Sequence, residues 1–145
     1  MQIATETTII PSVPKRARWP VILTEPLDID ADTWHAEVHQ SSTPVLVDFW
    51  HQACVWCRHL DPVYSQLAGE FSGKLKFAKL NVLLNEKNNE LATRFGVMGT
   101  PTVILFCSGR PIESLVGYRP KETLKKEIQL MIETHQDCFK QQTPL

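Results

Sequence analysis

The chain has 145 residues, a net charge of −1 at pH 7 and a hydrophobic fraction of 43%. These values suit one packed domain with some tail to spare and argue against a broad basic face for nucleic acid. No apolar run approaches the ~18 residues needed to span a bilayer, and four unevenly spaced cysteines do not make a secreted disulfide scaffold.

Residues 1–20 read as a flexible N-terminal tail. They carry Pro11, Pro14 and Pro20, the basic run Lys15-Arg16-Ala17-Arg18, and no apolar period. The cluster is expected to be solvated, with docking or membrane-surface contact, anchored by Trp19, as the alternative. Met1 to Glu6 lacks an early positive charge and a sustained apolar core, so a cytoplasmic location is expected. Residues 21–135 read as the folded domain and 136–145 as a polar, frayed tail.

Val21-Ile22-Leu23 predicts a short edge strand. Asp30 or Asp32 can cap a helix running to Gln40, with Trp34 and Val38 on one face. Val45-Leu46-Val47-Asp48-Phe49-Trp50 is almost continuously apolar, as in a strand buried on both faces. Asp48 interrupts it. A carboxylate in such a strand loses its hydration, so its pKa should rise unless it finds a partner. Such an acid beside a dithiol can take and return a proton.

The next helical pattern places Leu60, Val63, Leu67 and Phe71 on one face. Cys54-Val55-Trp56-Cys57 therefore lies at a strand-to-helix junction. Unpaired backbone N–H groups and the macrodipole at a helix start favour a thiolate, the reactive form of cysteine. A second thiol one turn on can close a small disulfide ring, and a C-x-x-C in a β–α context reads as a redox motif. Pro62, inside this helix, removes one backbone bond and should bend it.

Lys74 to Val82 alternates as a strand, with Leu75, Phe77 and Lys79 on one face. Lys79 is a candidate partner for Asp48, or a lysine that reaches solvent. Asn85 caps a helix through Phe95, stopped by Gly96. Gly99-Thr100-Pro101 precedes the strand Thr102 to Phe106, and proline is tolerated at a strand's first residue. Ser108-Gly109-Arg110-Pro111 forms a hairpin turn and Ile112 to Val116 the return strand. Gly117 marks a bulge or a close approach. Leu124, Ile128, Met131 and Ile132 define a last one-faced helix from Pro120 to His135. Cys107 and Cys138 are expected to be unpaired. The order predicts an α/β fold, with parallel strands joined by helical crossovers, a terminal hairpin, and helices on both faces of a mixed sheet.

From Thr24 to Ile132 the chain resembles the thioredoxin family. The resemblance rests on Val47-Asp48-Phe49-Trp50, Cys54-x-x-Cys57, Pro62, Ala78-Lys79-Leu80-Asn81, Gly99-Thr100-Pro101-Thr102, Phe106-x-x-Gly109 and Gly117, in that order. It implies a thioredoxin fold and a thiol–disulfide oxidoreductase without a bound cofactor. Cys54 would be the attacking thiol, Cys57 the resolving thiol, and Asp48 a buried proton carrier beside Lys79. Pro101 would be a cis proline facing the dithiol. Thr100 would bond a substrate strand, Trp50 would pack beside the site, and Gly117 would border the bound peptide. Its partners would be disulfide-containing proteins and a thiol reductase as electron donor.

The chain departs from the family at Ala53, where tryptophan is usual, and at Val55-Trp56, where Gly-Pro is usual. The intervening pair influences the potential, which runs from about −270 mV in thioredoxin to about −120 mV in strong oxidants. Trp56 is a candidate substitute for the missing tryptophan in docking. The competing readings are an oxidase or isomerase, and a binding module that keeps only the scaffold. A metal held by His51, Cys54, Cys57 and His59 would use suitable ligands, but no second C-x-x-C pair exists. Haem attachment would require histidine where Arg58 stands.

Overall fold

The computed structural model describes residues 24–141. The predicted tail over residues 1–20 and the strand predicted at Val21-Leu23 lie outside the described residues. The strands are β1 (Leu27–Ile29), β2 (Val45–Trp50), β3 (Lys76–Asn81), β4 (Thr102–Cys107) and β5 (Arg110–Val116). The helices are a π-wound turn α1 (His35–His39), α2 (Val55–Glu70), α3 (Glu86–Arg94), α4 (Lys121–Thr134) and α5 (Gln136–Gln141). One sheet has the order β1-β3-β2-β4-β5. β1, β3 and β2 are parallel, and β4 and β5 run antiparallel to their neighbours.

The alternation of side chains along β2 divides the core. Val45, Val47 and Phe49 join Trp34, Val38, Leu80, Leu91 and Phe106 on one face of the sheet. Leu46 joins Leu60, Tyr64, Leu67, Phe77, Leu105, Ile128 and Met131 on the other. Asp48, two residues beyond Leu46, shares the face covered by α2. Tyr64 secures that helix to the sheet: its hydroxyl lies 2.8 Å from the Leu46 carbonyl and 2.9 Å from that of Ala78, donating its one proton between them.

Several local expectations hold. Asn85 caps α3, its side chain accepting the Asn88 N–H. Pro62 lies inside α2, where its missing N–H forgoes one ladder bond. Trp34 and Val38 are both buried on one face, although the turn bearing them is π-wound rather than α-helical. Neither Asp30 nor Asp32 caps it: the turn starts at Trp34 without a side-chain cap, and Asp30 accepts the Thr33 N–H at 2.9 Å in the preceding turn.

Among the described residues the edge strand of the parallel half is Leu27–Ile29, in register with Ala78 to Leu80. Two expectations are corrected. Residues 136–141, read as part of a polar tail, form α5, and Phe139 packs against the core. Cys107 and Cys138 are not unpaired but joined in a disulfide, with Cα atoms 6.1 Å apart, within the span such a bond requires. Cys107 is two residues past Leu105 and so faces the α4 side, where the chain turns from α4 into α5. No described cysteine is free.

The β4–β5 connection is a two-residue loop. Ser108 and Gly109 both have positive φ, 54° and 82°, as a type I′ turn requires. The bulge lies within the hairpin rather than at Gly117. Register slips between Leu105 and Phe106, where the partner strand carries Pro111, which has no N–H to give the ladder. A Cβ at Gly109 would stand 2.6 Å from the His39 ring and 3.0 Å from its Cα. Gly109→Ala is therefore expected to destabilise the protein by about 1–3 kcal/mol, from strain and overlap together, measured as a lower urea midpoint. An unchanged midpoint would show that α1 yields freely.

Candidate active site

The strand β2 delivers Asp48 and Trp50 to the end of the sheet, and the chain then turns into α2 at Cys54. Cys54 has extended backbone at the N-cap. Its Sγ accepts the Cys57 N–H at 3.1 Å, one of the donors a helix start leaves unpaired. Cys54 and Cys57 are joined in a disulfide, Cα atoms 5.2 Å apart. Cys54 is half-buried, whereas Cys57 is 3% exposed. An attacking group from solvent therefore meets Cys54 first.

Thr100 and Pro101 face this pair. The Thr100 carbonyl oxygen lies 3.4 Å from Cys54 Sγ, and the Thr100–Pro101 peptide is cis. Gly117, with φ of 95°, donates its N–H to the Pro101 carbonyl at 2.8 Å. This bond ties the end of β5 to the proline turn; the space beside Gly117 is open, so its positive φ and not a close approach is what favours glycine there.

Behind the disulfide is a cavity of about 300 Å³ lined by Asp48, Trp50, Cys57, Arg58, Asp61 and Lys79. Asp48 is 1% exposed, and its Oδ1 has no protein partner. Loss of hydration is the main cause that lifts its pKa to about 7; Lys79 opposes the rise and Asp61 adds to it. Lys79 stands directly across from Asp48 in the β2–β3 register. Its ammonium, however, pairs with Asp61 and lies 4.7 Å from the centre of the Trp50 ring.

Trp56 is 56% exposed. Its ring packs 5.0 Å from His59 and 5.4 Å from Tyr118, centre to centre, so it forms a rim on the Gly117 side. Val55 is also exposed. The structure thus brings Cys54, Cys57, Asp48, Lys79, Trp50, Thr100, Pro101, Gly117 and Trp56 to one end of the sheet. His51 turns back on its own loop, Nδ1 accepting the Ala53 N–H at 3.2 Å. Sequence reasoning missed Asp61 and Tyr118. Asp61 lies four residues after Cys57, on the same helix face, and Tyr118 directly follows Gly117; both signals were available.

A half-buried sulfur at a helix start, a buried sulfur bonded to it and a buried acid behind them define a dithiol–disulfide protein of α/β architecture. The Thioredoxin family model matches residues 25–130. The thioredoxin of Alicyclobacillus acidocaldarius subsp. acidocaldarius is 45% identical over 89 residues, 61% of this chain and 82% of that protein. Chloroplastic thioredoxin M4 of Arabidopsis thaliana is 42% identical over 96 residues, 66% of this chain; the aligned part is 48% of that longer protein. The solved structure of a single-residue mutant of the thioredoxin from Halobacterium salinarum NRC-1 superposes with a TM-score of 0.66 at 32% identity, covering 77% of this chain and 95% of that one. The chain belongs to the thioredoxin family and has the thioredoxin fold.

Proposed function

We propose that the protein is a thiol–disulfide oxidoreductase that acts as a protein-disulfide reductase. The observation that carries this reading is the Cys54–Cys57 disulfide set at the N-terminus of α2, with its half-buried sulfur toward Thr100 and its buried sulfur on the cavity of Asp48.

In the reduced protein the Cys54 thiolate, stabilised by the Cys57 N–H and the helix start, attacks one sulfur of a substrate disulfide. The substrate S–S bond breaks, a Cys54–substrate disulfide forms, and the departing substrate sulfur takes up a proton. Cys57 then gives its proton to the Asp48 carboxylate. The Cys57 thiolate attacks Cys54 Sγ and displaces the second substrate sulfur, which takes up a proton as Asp48 gives its own back. The substrate gains two electrons and the protein is left as its disulfide. A thiol reductase returns the pair to the dithiol. No cofactor enters these steps. A dithiol that must be reset suits a reducing compartment, and the cytoplasm is the one we propose. No described helix is long and apolar enough to cross a membrane.

Substrate chain would lie along Thr100 and Pro101, between Trp50 and Gly117, with Trp56 on the rim. Trp56→Ala is expected to raise KM for a disulfide-bonded protein about fivefold, the weight of a ~1 kcal/mol contact, with kcat unchanged. An unaltered KM would remove Trp56 from the docking surface.

The deciding experiment is the equilibrium potential of Cys54–Cys57 in a thiol buffer, each cysteine pair being followed separately by alkylation and mass mapping. A reductase should fall near −270 mV, whereas a value near −180 to −120 mV would make it an isomerase or oxidase. Absence of a reversible two-electron transition would leave a binding module.

A further inference from the structure

The cavity lining holds an ion pair that the steps above do not use. Asp61, on the second turn of α2, binds the Lys79 ammonium. Lys79 rises from β3 directly across from Asp48, yet its ammonium is engaged by Asp61 and by the face of Trp50. Asp48 Oδ1 is left without a protein partner. The charged or titratable groups around Asp48 are Lys79 from β3 and Cys57, Arg58, Asp61 and Tyr64 from α2. Its β4 neighbour in register is Val103, which carries no charge.

We propose that Asp61 is a positioning residue for the proton step: it engages the Lys79 ammonium and so keeps it from closing a direct ion pair with Asp48. The proposal rests on the oxidoreductase reading for its purpose but not for its test. A thiol of ordinary pKa, about 8.5, gives its proton poorly to a carboxylate of ordinary pKa, about 4. An Asp48 bound to Lys79 would be such a carboxylate, because an adjacent cation favours the charged form. Asp48 without a direct ion pair in a desolvated site is a stronger base, matched to the thiol it must serve. Asp61 can act this way because its own side chain is about half exposed, so engaging the ammonium costs it little burial.

The test is the titration of the Asp48 carboxyl carbon by NMR in the whole oxidised chain, without substrate. Asp61→Asn should release Lys79 and move the Asp48 midpoint to lower pH, whereas Asp61→Glu should retain the original midpoint. A fall of about half a pH unit from a midpoint near 7 would raise the ionised fraction at pH 6 about 2.6-fold. The pH profile for release of the Cys54 mixed disulfide should shift in the same direction. Adding Asp61→Asn to Lys79→Met should move the Asp48 midpoint much less than Asp61→Asn alone. An unchanged midpoint in Asp61→Asn would overturn the proposal. An equal fall with and without Lys79 would also overturn it, since Asp61 would then act only as a nearby charge. Because the titration involves no turnover, failure of the oxidoreductase reading would appear separately, as a Cys54–Cys57 pair that does not exchange.

Discussion

Cys54→Ser is expected to reduce protein-disulfide turnover at least ~10³-fold, to near the uncatalysed background, because the remaining hydroxyl supplies no thiolate. Its counterpart, Cys57→Ser, should still attack substrate once and then stall as a stable mixed disulfide on Cys54. The asymmetry follows from burial: Cys54 is half-buried, whereas Cys57 is closed off at 3% exposure. Mass spectrometry of the two variants after exposure to a disulfide-bonded protein checks both outcomes. Adducts on Cys57 in Cys54→Ser, formed as fast as those on Cys54 in Cys57→Ser, would reverse the assignment of attacking and resolving sulfurs. Turnover unaffected by loss of both would eliminate the mechanism.

Asp48→Asn should have opposite effects on stability and on rate. In the folded protein Asp48 keeps its proton up to about pH 7, against an ordinary value of 3.8. Between those limits the folded state binds more protons than the unfolded chain. Stability therefore falls as pH rises from about 4 to about 7 and then levels off, at a cost on the order of 4 kcal/mol. Asparagine cannot ionise and avoids this cost. The variant should gain about 2–4 kcal/mol over the parent near pH 8 and little near pH 4. On the proposed mechanism the same change removes the base that serves Cys57, so release of the mixed disulfide at neutral pH should slow about 10²-fold. Urea unfolding at the two pH values, run on the oxidised chain, tests the first effect; single-turnover release of substrate tests the second. Equal stabilisation at both pH values would mean that ionisation of Asp48 is not what destabilises the parent. A site that gives up stability for reactivity is the usual pattern for a buried catalytic acid.

Much of the architecture could be read directly from residue order. Apolar continuity in Val45 to Trp50, the helix period through Leu60, Leu67 and Phe71, the Asn85 cap and the Ser108-Gly109 turn are local signals, each generated by one element's own geometry. The edge strand was less legible. Leu27–Ile29 pairs with Ala78 to Leu80 although a charged residue, Asp28, stands at its centre, and three-residue strands are chosen by partner and not by propensity. The second disulfide was illegible for a related reason. Its cysteines are 31 residues apart, and α4 must first pack on the sheet before α5 can carry Cys138 to Cys107.

Residue order alone determines the C-x-x-C pair and its place at a helix start, because that spacing and the strand-to-helix switch are both properties of a short stretch of chain. It also determines that a carboxyl group sits in a strand with nowhere polar to go. Tertiary structure decides whom that carboxyl meets. Asp48 and Lys79 share a register position across two strands, yet α2 brings Asp61 over the sheet and the ammonium goes to it. Charge partnerships depend on a few ångströms between elements distant in sequence, and those distances exist only once the core beneath α2 has packed.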